Sequence, residues 1–315
     1  MSTLVVGSVA LDTVETPYGR AENALGGTAT YFSLAASLFT DVQMVGVVGD
    51  DFPQSAMQLF DRHGIDLSGL QQQHGQTFRW VGEYHEDMNV AHTLDTRLNV
   101  FETFHPRIPE HYRNARFVFL GNIDPELQLE VLRQVRKPEM AVLDTMNFWI
   151  ERKRHALTAV LRQVDAVLIN EGEVRQYTGH YNVLTAAREV QEVGPRCVVV
   201  KRGEYGALMF YDDHFFAVPA FPTSTVRDTT GAGDSFAGAF LGHLEKCSEI
   251  SEETLRASMV YGTVAASFAV EDFSIEGLML ANERSVMDRY QRMADVTRIE
   301  MGTRVRPRDL VVEGL

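Results

Sequence analysis

Short, continuous apolar runs recur along the chain: TLVVGSV at 3–9, VQMVGVVG at 42–49, RFVFLGN at 116–122, MAVLDT at 140–145, DAVLIN at 165–170 and CVVVK at 197–201. Runs without polar alternation belong to strands covered on both faces, the condition inside a parallel sheet. Between them lie stretches with helical spacing, such as TATYFSLAASLF at 28–39 and DPELQLEVLRQVRK at 124–137. Asp124 suits the N-cap of the second helix and Pro125 its first helical position. Strand and helix in repeated alternation predict the α/β class: an open, mostly parallel sheet with helices on both faces and right-handed crossovers.

Two stretches break the rhythm. LDTVETPYGRAENAL at 11–25 is polar and turn-rich, and QTFRWVGEYHEDMNVAHTLDTRLNVF at 76–101 partly alternates polar with apolar. Alternation suits strands with one wet face. Both segments are expected to build a small β lid over one end of the main sheet; a surface hairpin without function is the competing reading. There is no internal repeat, linker or boundary, so 1–315 reads as a single domain.

The bulk numbers narrow the function. The chain has 315 residues, 45% hydrophobic and 23% charged, enough to bury a substantial core. Its 29 basic residues face 43 acidic ones, a formal net charge of -14, which argues against nucleic acid or an anionic membrane as partner. The two cysteines, Cys197 and Cys247, give neither a disulfide framework nor zinc spacing. The start, MSTLVVGSVALD, lacks the basic and apolar regions of a signal peptide, and no apolar run approaches the ~20 residues of a membrane helix. A reducing, cytoplasmic compartment is expected.

The stretch RDTTGAGDSFAGAF at 227–240 carries the chemistry. Gly231, Ala232 and Gly233 leave backbone N–H groups uncovered, and a helix starting there aims its unpaired N–H groups and positive dipole end at the same point. The result is a small anion hole with Asp234 at its lip. A dinucleotide fingerprint fails, because Phe236 stands where its third glycine should be, and a Walker loop fails, because Asp234-Ser235 replaces its Lys-Ser or Lys-Thr pair. Close helix packing explains Gly238 and Gly242 but not an acid at the helix mouth. Phosphoryl transfer explains both: "GAG" supplies donors to the transferring group, and Asp234 can take a proton from an attacking hydroxyl.

The same stretch resembles the C-terminal signature of ribokinase-like carbohydrate kinases, the PfkB family, and further segments agree in order over nearly the whole chain. VGSVALDT resembles the first strand with its sugar-contacting acid, here Asp12. LGGTATYFSLAASLF resembles the double-glycine signature, here Gly26 and Gly27. VVGDD resembles the strand-end segment before the next helix. DTMNFWI resembles the segment with a phosphate-side Asn, here Asn147. NEGE resembles the N-x-x-E motif, here Asn170 and Glu173, and VVVKRGEYGAL the nucleotide-side strand and turn, with Lys201, Gly203 and Gly206.

The resemblance implies a ribokinase-like fold and an ATP-dependent kinase acting on a primary hydroxyl of a sugar or nucleoside. Asp234 would be the base. Glu173 would order water around Mg2+, or be only a helix-start acid. Asp228 would lie at a monovalent-cation (K+) site, or form an Asx turn. Where the family commonly carries an Asn after the double glycine, this chain has Thr28, Thr30 and Tyr31. With the aromatics Phe78, Trp80, Tyr84 and Phe101 in the lid segment, this inclines the acceptor toward nucleosides, with Tyr31 at the substrate; packing is the other role for those rings. A homodimer through the lid is a further expectation. The rival reading is a non-catalytic nucleoside or sugar sensor on a kinase fold.

Overall fold

All six continuous apolar runs form strands in a computed structural model that describes residues 2–298. The chain order is β1 (Ser2–Val6), β2 (Ala10–Thr16), β3 (Gly19–Gly26), α1 (Thr28–Ala36), β4 (Asp41–Val48), α2 (Gln54–Arg62), β5 (Ile65–Gln72), β6 (Arg79–Tyr84) and β7 (Ala91–Arg97). It continues with β8 (Phe117–Leu120), α3 (Pro125–Gln134), β9 (Met140–Asp144), α4 (Asn147–Arg152), α5 (Arg154–Leu161), β10 (Ala166–Asn170), α6 (Glu171–Thr178), α7 (Val183–Val193) and β11 (Cys197–Lys201). It ends with β12 (Ala207–Tyr211), β13 (His214–Val218), α8 (Ala232–Lys246), α9 (Glu252–Ala269), α10 (Glu276–Met279) and α11 (Glu283–Thr297).

The main sheet has nine strands in the order β13-β12-β11-β10-β9-β8-β1-β4-β5. Pairing from β11 to β5 is parallel throughout, and β12 and β13 add an antiparallel edge. β1 shows why the runs are continuous. Val5 faces the core beneath α1, α8 and α9, while Leu4 and Val6 face the core beneath α3, α5 and α7. Successive side chains point to opposite faces, and here both faces are buried.

The segments that break the rhythm form a separate four-stranded sheet, β3-β2-β6-β7. β2 pairs antiparallel with β3, with an irregularity between Asp12 and Val14, and parallel with β6; β6 pairs antiparallel with β7. Three strands have no counterpart in the sequence reading as strands of their own: β5, β12 and β13. β5 and β13 are the edges of the main sheet, and β5 buries only part of its side chains, so polar residues interrupt its pattern.

Asp124 caps α3 by accepting from the N–H of Glu126, with Pro125 in the first turn. Gly238 and Gly242 let α8 lie directly on α1. A Cβ at Gly238 would stand 2.2 Å from the carbonyl oxygen of Phe32, and one at Gly242 3.0 Å from that of Ala36. This contact fixes the start of α8 against the start of α1, and both starts lie at the functional cleft.

Candidate active site

Gly231 is the N-cap of α8, and its φ of 74° is the left-handed conformation glycine adopts without strain. A side chain there would collide with the ring of Tyr31, 2.3 Å from its Cγ. Buried Tyr31 therefore forms the floor of the turn. The N–H of Ala232 donates to the Thr229 carbonyl at 3.3 Å, and that of Ser235 to the Gly231 carbonyl at 2.8 Å. Between them, the N–H groups of Gly233 and Asp234 have no carbonyl one turn back and point out of the helix start.

Asp234 lies in the first turn of α8 and keeps partial access to solvent. Burial and the neighbouring charge of Asp144 push its pKa up to about 7, against the opposing pull of Lys201 and the Thr28 hydroxyl. A carboxylate is thereby tuned toward neutral pH, where a general base is effective. Beneath the turn, the ammonium of Lys201 donates to Asp144 Oδ1 at 3.0 Å. A Cβ placed on Gly233 would lie 3.0 Å from that same Nζ.

Glu173 and Asn170 form a reciprocal cap at the start of α6. The Asn170 side chain accepts from the N–H of Glu173 at 2.8 Å, and Glu173 Oε2 accepts from the N–H of Asn170 at 2.9 Å. Burial, then the charge of Asp144, raises Glu173 to about 8. Asp144, Glu173 and Asp234 thus crowd one ammonium; among the described residues no cluster of three such groups is placed to bind a metal ion directly, so a cation here would be reached through water.

At the other end of the cleft, Asp12 is buried on β2, and its Oδ1 has no hydrogen-bond partner among the described residues. Burial raises its pKa to about 7, the N–H groups of Trp80 and Gly27 oppose the rise, and Asp228 and Asp234 add to it. An unpartnered buried carboxylate oxygen is a place for a ligand hydroxyl. The glycines make this approach possible: a Cβ on Gly26 would sit 1.8 Å from Asp12 Oδ2, and Gly27, at φ 89°, would drive one to 2.5 Å from the Ser8 carbonyl oxygen.

The second sheet is bonded to the anion hole. The phenol of Tyr84 meets the Thr230 hydroxyl at 3.1 Å, Thr229 donates to the Met88 carbonyl at 2.6 Å, and Thr16 donates to the Arg227 carbonyl at 2.8 Å. Asn89, in the β6–β7 turn, packs where a side chain on Gly203 would stand, 1.8 Å from its Oδ1. Trp80 lies flat over Gly82, on the same face of β6 as Tyr84, and its Nε1 donates to Thr93. Phe78 and Phe101 pack on each other instead.

Asp228 is buried and accepts from the N–H groups of Thr230 and Ser274. The first of these bonds is the Asx turn. Gly206, at φ 86°, turns the chain from β11 into β12, where any side chain would meet the Val218 carbonyl.

The structure thus brings Gly231, Ala232, Gly233, Asp234, Lys201, Asn170 and Glu173 around one end of a cleft and Asp12, Gly26 and Gly27 around the other, with Tyr31 buried between the two. Asn147 is exposed at the start of α4, its Oδ1 accepting from the N–H of Phe148. Sequence reasoning passed over Asp144. Its signal was its place: the last residue of a continuous apolar run, at the carboxyl end of a parallel strand, where open α/β sheets gather ligand groups.

Uncovered N–H groups at the start of α8, Asp234 beside them and the unpartnered Asp12 across the cleft are an arrangement suited to a kinase with an alcohol acceptor. The model of the pfkB family carbohydrate kinases matches residues 3–277, and the chain belongs to that family. Among curated relatives, the cytidine kinase of Thermococcus kodakarensis is 33% identical over 267 residues, 81% of this chain and 95% of that protein. The fold is similar to that of aminoimidazole riboside kinase from Salmonella enterica, solved with aminoimidazole riboside and an ATP analog. That similarity has a TM-score of 0.75 at 18% identity and covers 92% of this chain and 100% of that one. It is also similar to the Burkholderia thailandensis nucleoside kinase in complex with inosine, with a TM-score of 0.75 at 16% identity, covering 92% and 97% of the two chains. The chain is a phosphotransferase acting on a hydroxyl of a nucleoside or sugar, which favours catalysis over a sensor role. Among the described residues no helix is long and apolar enough to cross a membrane.

Proposed function

We propose that the acceptor is a nucleoside, phosphorylated by ATP on the primary hydroxyl of its ribose. The observation that carries this reading is the cleft itself, with the unpartnered, buried Asp12 Oδ1 as acceptor for a ribose hydroxyl at one end and Asp234 at the anion hole at the other. Trp80, whose backbone N–H reaches Asp12 and whose ring covers Gly82, supports a base rather than a bare sugar, and so does the likeness to a cytidine kinase. Stacking on an aromatic ring contributes ~1–3 kcal/mol per base, which free ribose cannot gain.

In this reading the acceptor hydroxyl attacks the γ-phosphorus. The new P–O bond forms as the bond to the β–γ bridging oxygen breaks, its electron pair leaving on ADP. The acceptor proton passes to Asp234. The N–H groups of Gly231, Ala232 and Gly233 hold the oxygens of the transferring group. Gly203 and Gly206 shape the nucleotide turn, with Asn147 and Asn170 on the phosphate side. The acids around Lys201 fit Mg2+, held through water by Glu173; the metal would neutralise phosphate charge. Buried Asp228 has two backbone donors and, among the described residues, no ion pair, which fits a K+ ion there. The second sheet acts as a lid that excludes water. Its exposed Tyr18, Val90 and Leu94 offer a face for a homodimer, to be checked by light scattering.

The test is a panel of cytidine, adenosine, inosine, guanosine, ribose and fructose at equal concentration. One or more nucleosides are expected to show the highest kcat/KM. A free sugar well ahead of every nucleoside overturns the acceptor reading.

A further inference from the structure

The anion hole and the base leave the buried acid Asp144 without a chemical role of its own in phosphoryl transfer. It ends β9, accepts from Lys201 at 3.0 Å, and is 8% exposed at its side chain, against 18% for Lys201. Lys201 ends β11, two strands away across the sheet, and its Nζ lies directly below Gly233. A lysine is a compact charge on a long flexible stem, so it can occupy one point only if something pins it. Burial disfavours its charge, but Asp144, Glu173 and Asp234 outweigh burial and keep it an ammonium.

We infer that Asp144 is a positioning residue for phosphoryl transfer: it fixes the Lys201 ammonium beneath Gly233, where that charge meets the transferring group. This rests on the kinase reading and deepens it. Two opposed effects make it testable. Asp144 orients Lys201, which helps the transition state, yet its own negative charge repels the nucleotide's phosphates. Removing the charge while keeping the shape should separate the two.

Asp144→Asn is therefore expected to lower kcat at least tenfold while leaving the Kd for the ATP analogue AMP-PNP, measured by calorimetry, unchanged or tighter. Lys201→Met should lower kcat and weaken AMP-PNP binding at least tenfold, with ADP binding less affected. In the double variant, kcat should fall no further than in Lys201→Met alone, because Asp144 acts through Lys201. Asp144→Ser, smaller and uncharged, must show the same split, which guards against a folding defect in one variant. Independent, multiplying losses in kcat overturn the inference, as does weaker AMP-PNP binding in both Asp144 variants. The binding arm needs no acceptor, so a wrong acceptor leaves it decisive.

Discussion

The phenolic oxygen of Tyr84 and the hydroxyl of Thr230 meet at 3.1 Å, joining the end of β6 to the turn that opens α8. Tyr84 is itself buried, its ionisation suppressed by burial, so it serves as a neutral hydrogen-bonding group. The pair ties the acceptor side of the cleft to the phosphate side. Tyr84→Phe removes one such bond, worth about 1 kcal/mol, and is expected to reduce kcat/KM for the acceptor by roughly fivefold. Stability should fall by no more than about the same 1 kcal/mol, because the ring still packs. Unaltered kcat/KM would show that the pair is only structural.

Asp234→Asn keeps the size of the side chain and removes the base. Turnover should fall by ~10²-fold or more, with AMP-PNP affinity retained. In the parent protein, kcat/KM should rise with pH through about 7 as Asp234 loses its proton. A pH profile flat from 6 to 8 would remove Asp234 from the role.

Glu173 makes two linked predictions. Glu173→Gln preserves the cap of α6, since an amide oxygen can accept from the Asn170 N–H as a carboxylate does. It should raise the Mg2+ concentration needed for half-maximal activity. The folded protein raises Glu173 from an ordinary 4.5 to about 8, so the folded state holds the proton more tightly. Stability from this group is present at low pH and is lost as pH rises through about 8. In metal-free buffer, Glu173→Gln should therefore gain in Tm relative to the parent between pH 6 and pH 9. A Tm difference independent of pH contradicts this.

Gly231→Ala tests the floor of the anion hole. It forces a left-handed backbone on a residue with a Cβ and drives that atom into the Tyr31 ring. The cost should be about 1–3 kcal/mol in chemical denaturation, with a loss of kcat that exceeds the loss of stability. A variant as stable and active as the parent would mean that the turn does not need its present shape.

Much of this was legible because local rules and global fold agree. Continuous apolar runs marked the buried parallel strands, and the broken rhythm at 11–25 and 76–101 marked chain that lies outside the main sheet. The anion hole was legible because two glycines and an acid sit together in sequence. Asp144, β5 and β13 were harder. Asp144 acquires its meaning from Lys201, 57 positions away, and edge strands share their polar character with loops. The aromatics of 76–101 divided by their tertiary partners, which composition does not carry: Phe78 packs with Phe101, Trp80 covers Gly82, and Tyr84 reaches Thr230.

The turn between β6 and β7 holds Met88 against Thr229 and Asn89 against Gly203. One short turn therefore touches both the phosphate hole and the turn assigned to ATP, while its own strand carries Trp80 and Tyr84 on the acceptor side. If binding at one end orders this hairpin, the other substrate no longer needs to supply that free energy. Linkage makes that exchange reciprocal: the factor by which a nucleoside tightens ATP is the factor by which ATP tightens the nucleoside. The two ends of the cleft share this one turn, so any coupling between them is a single free energy that can be measured from either side.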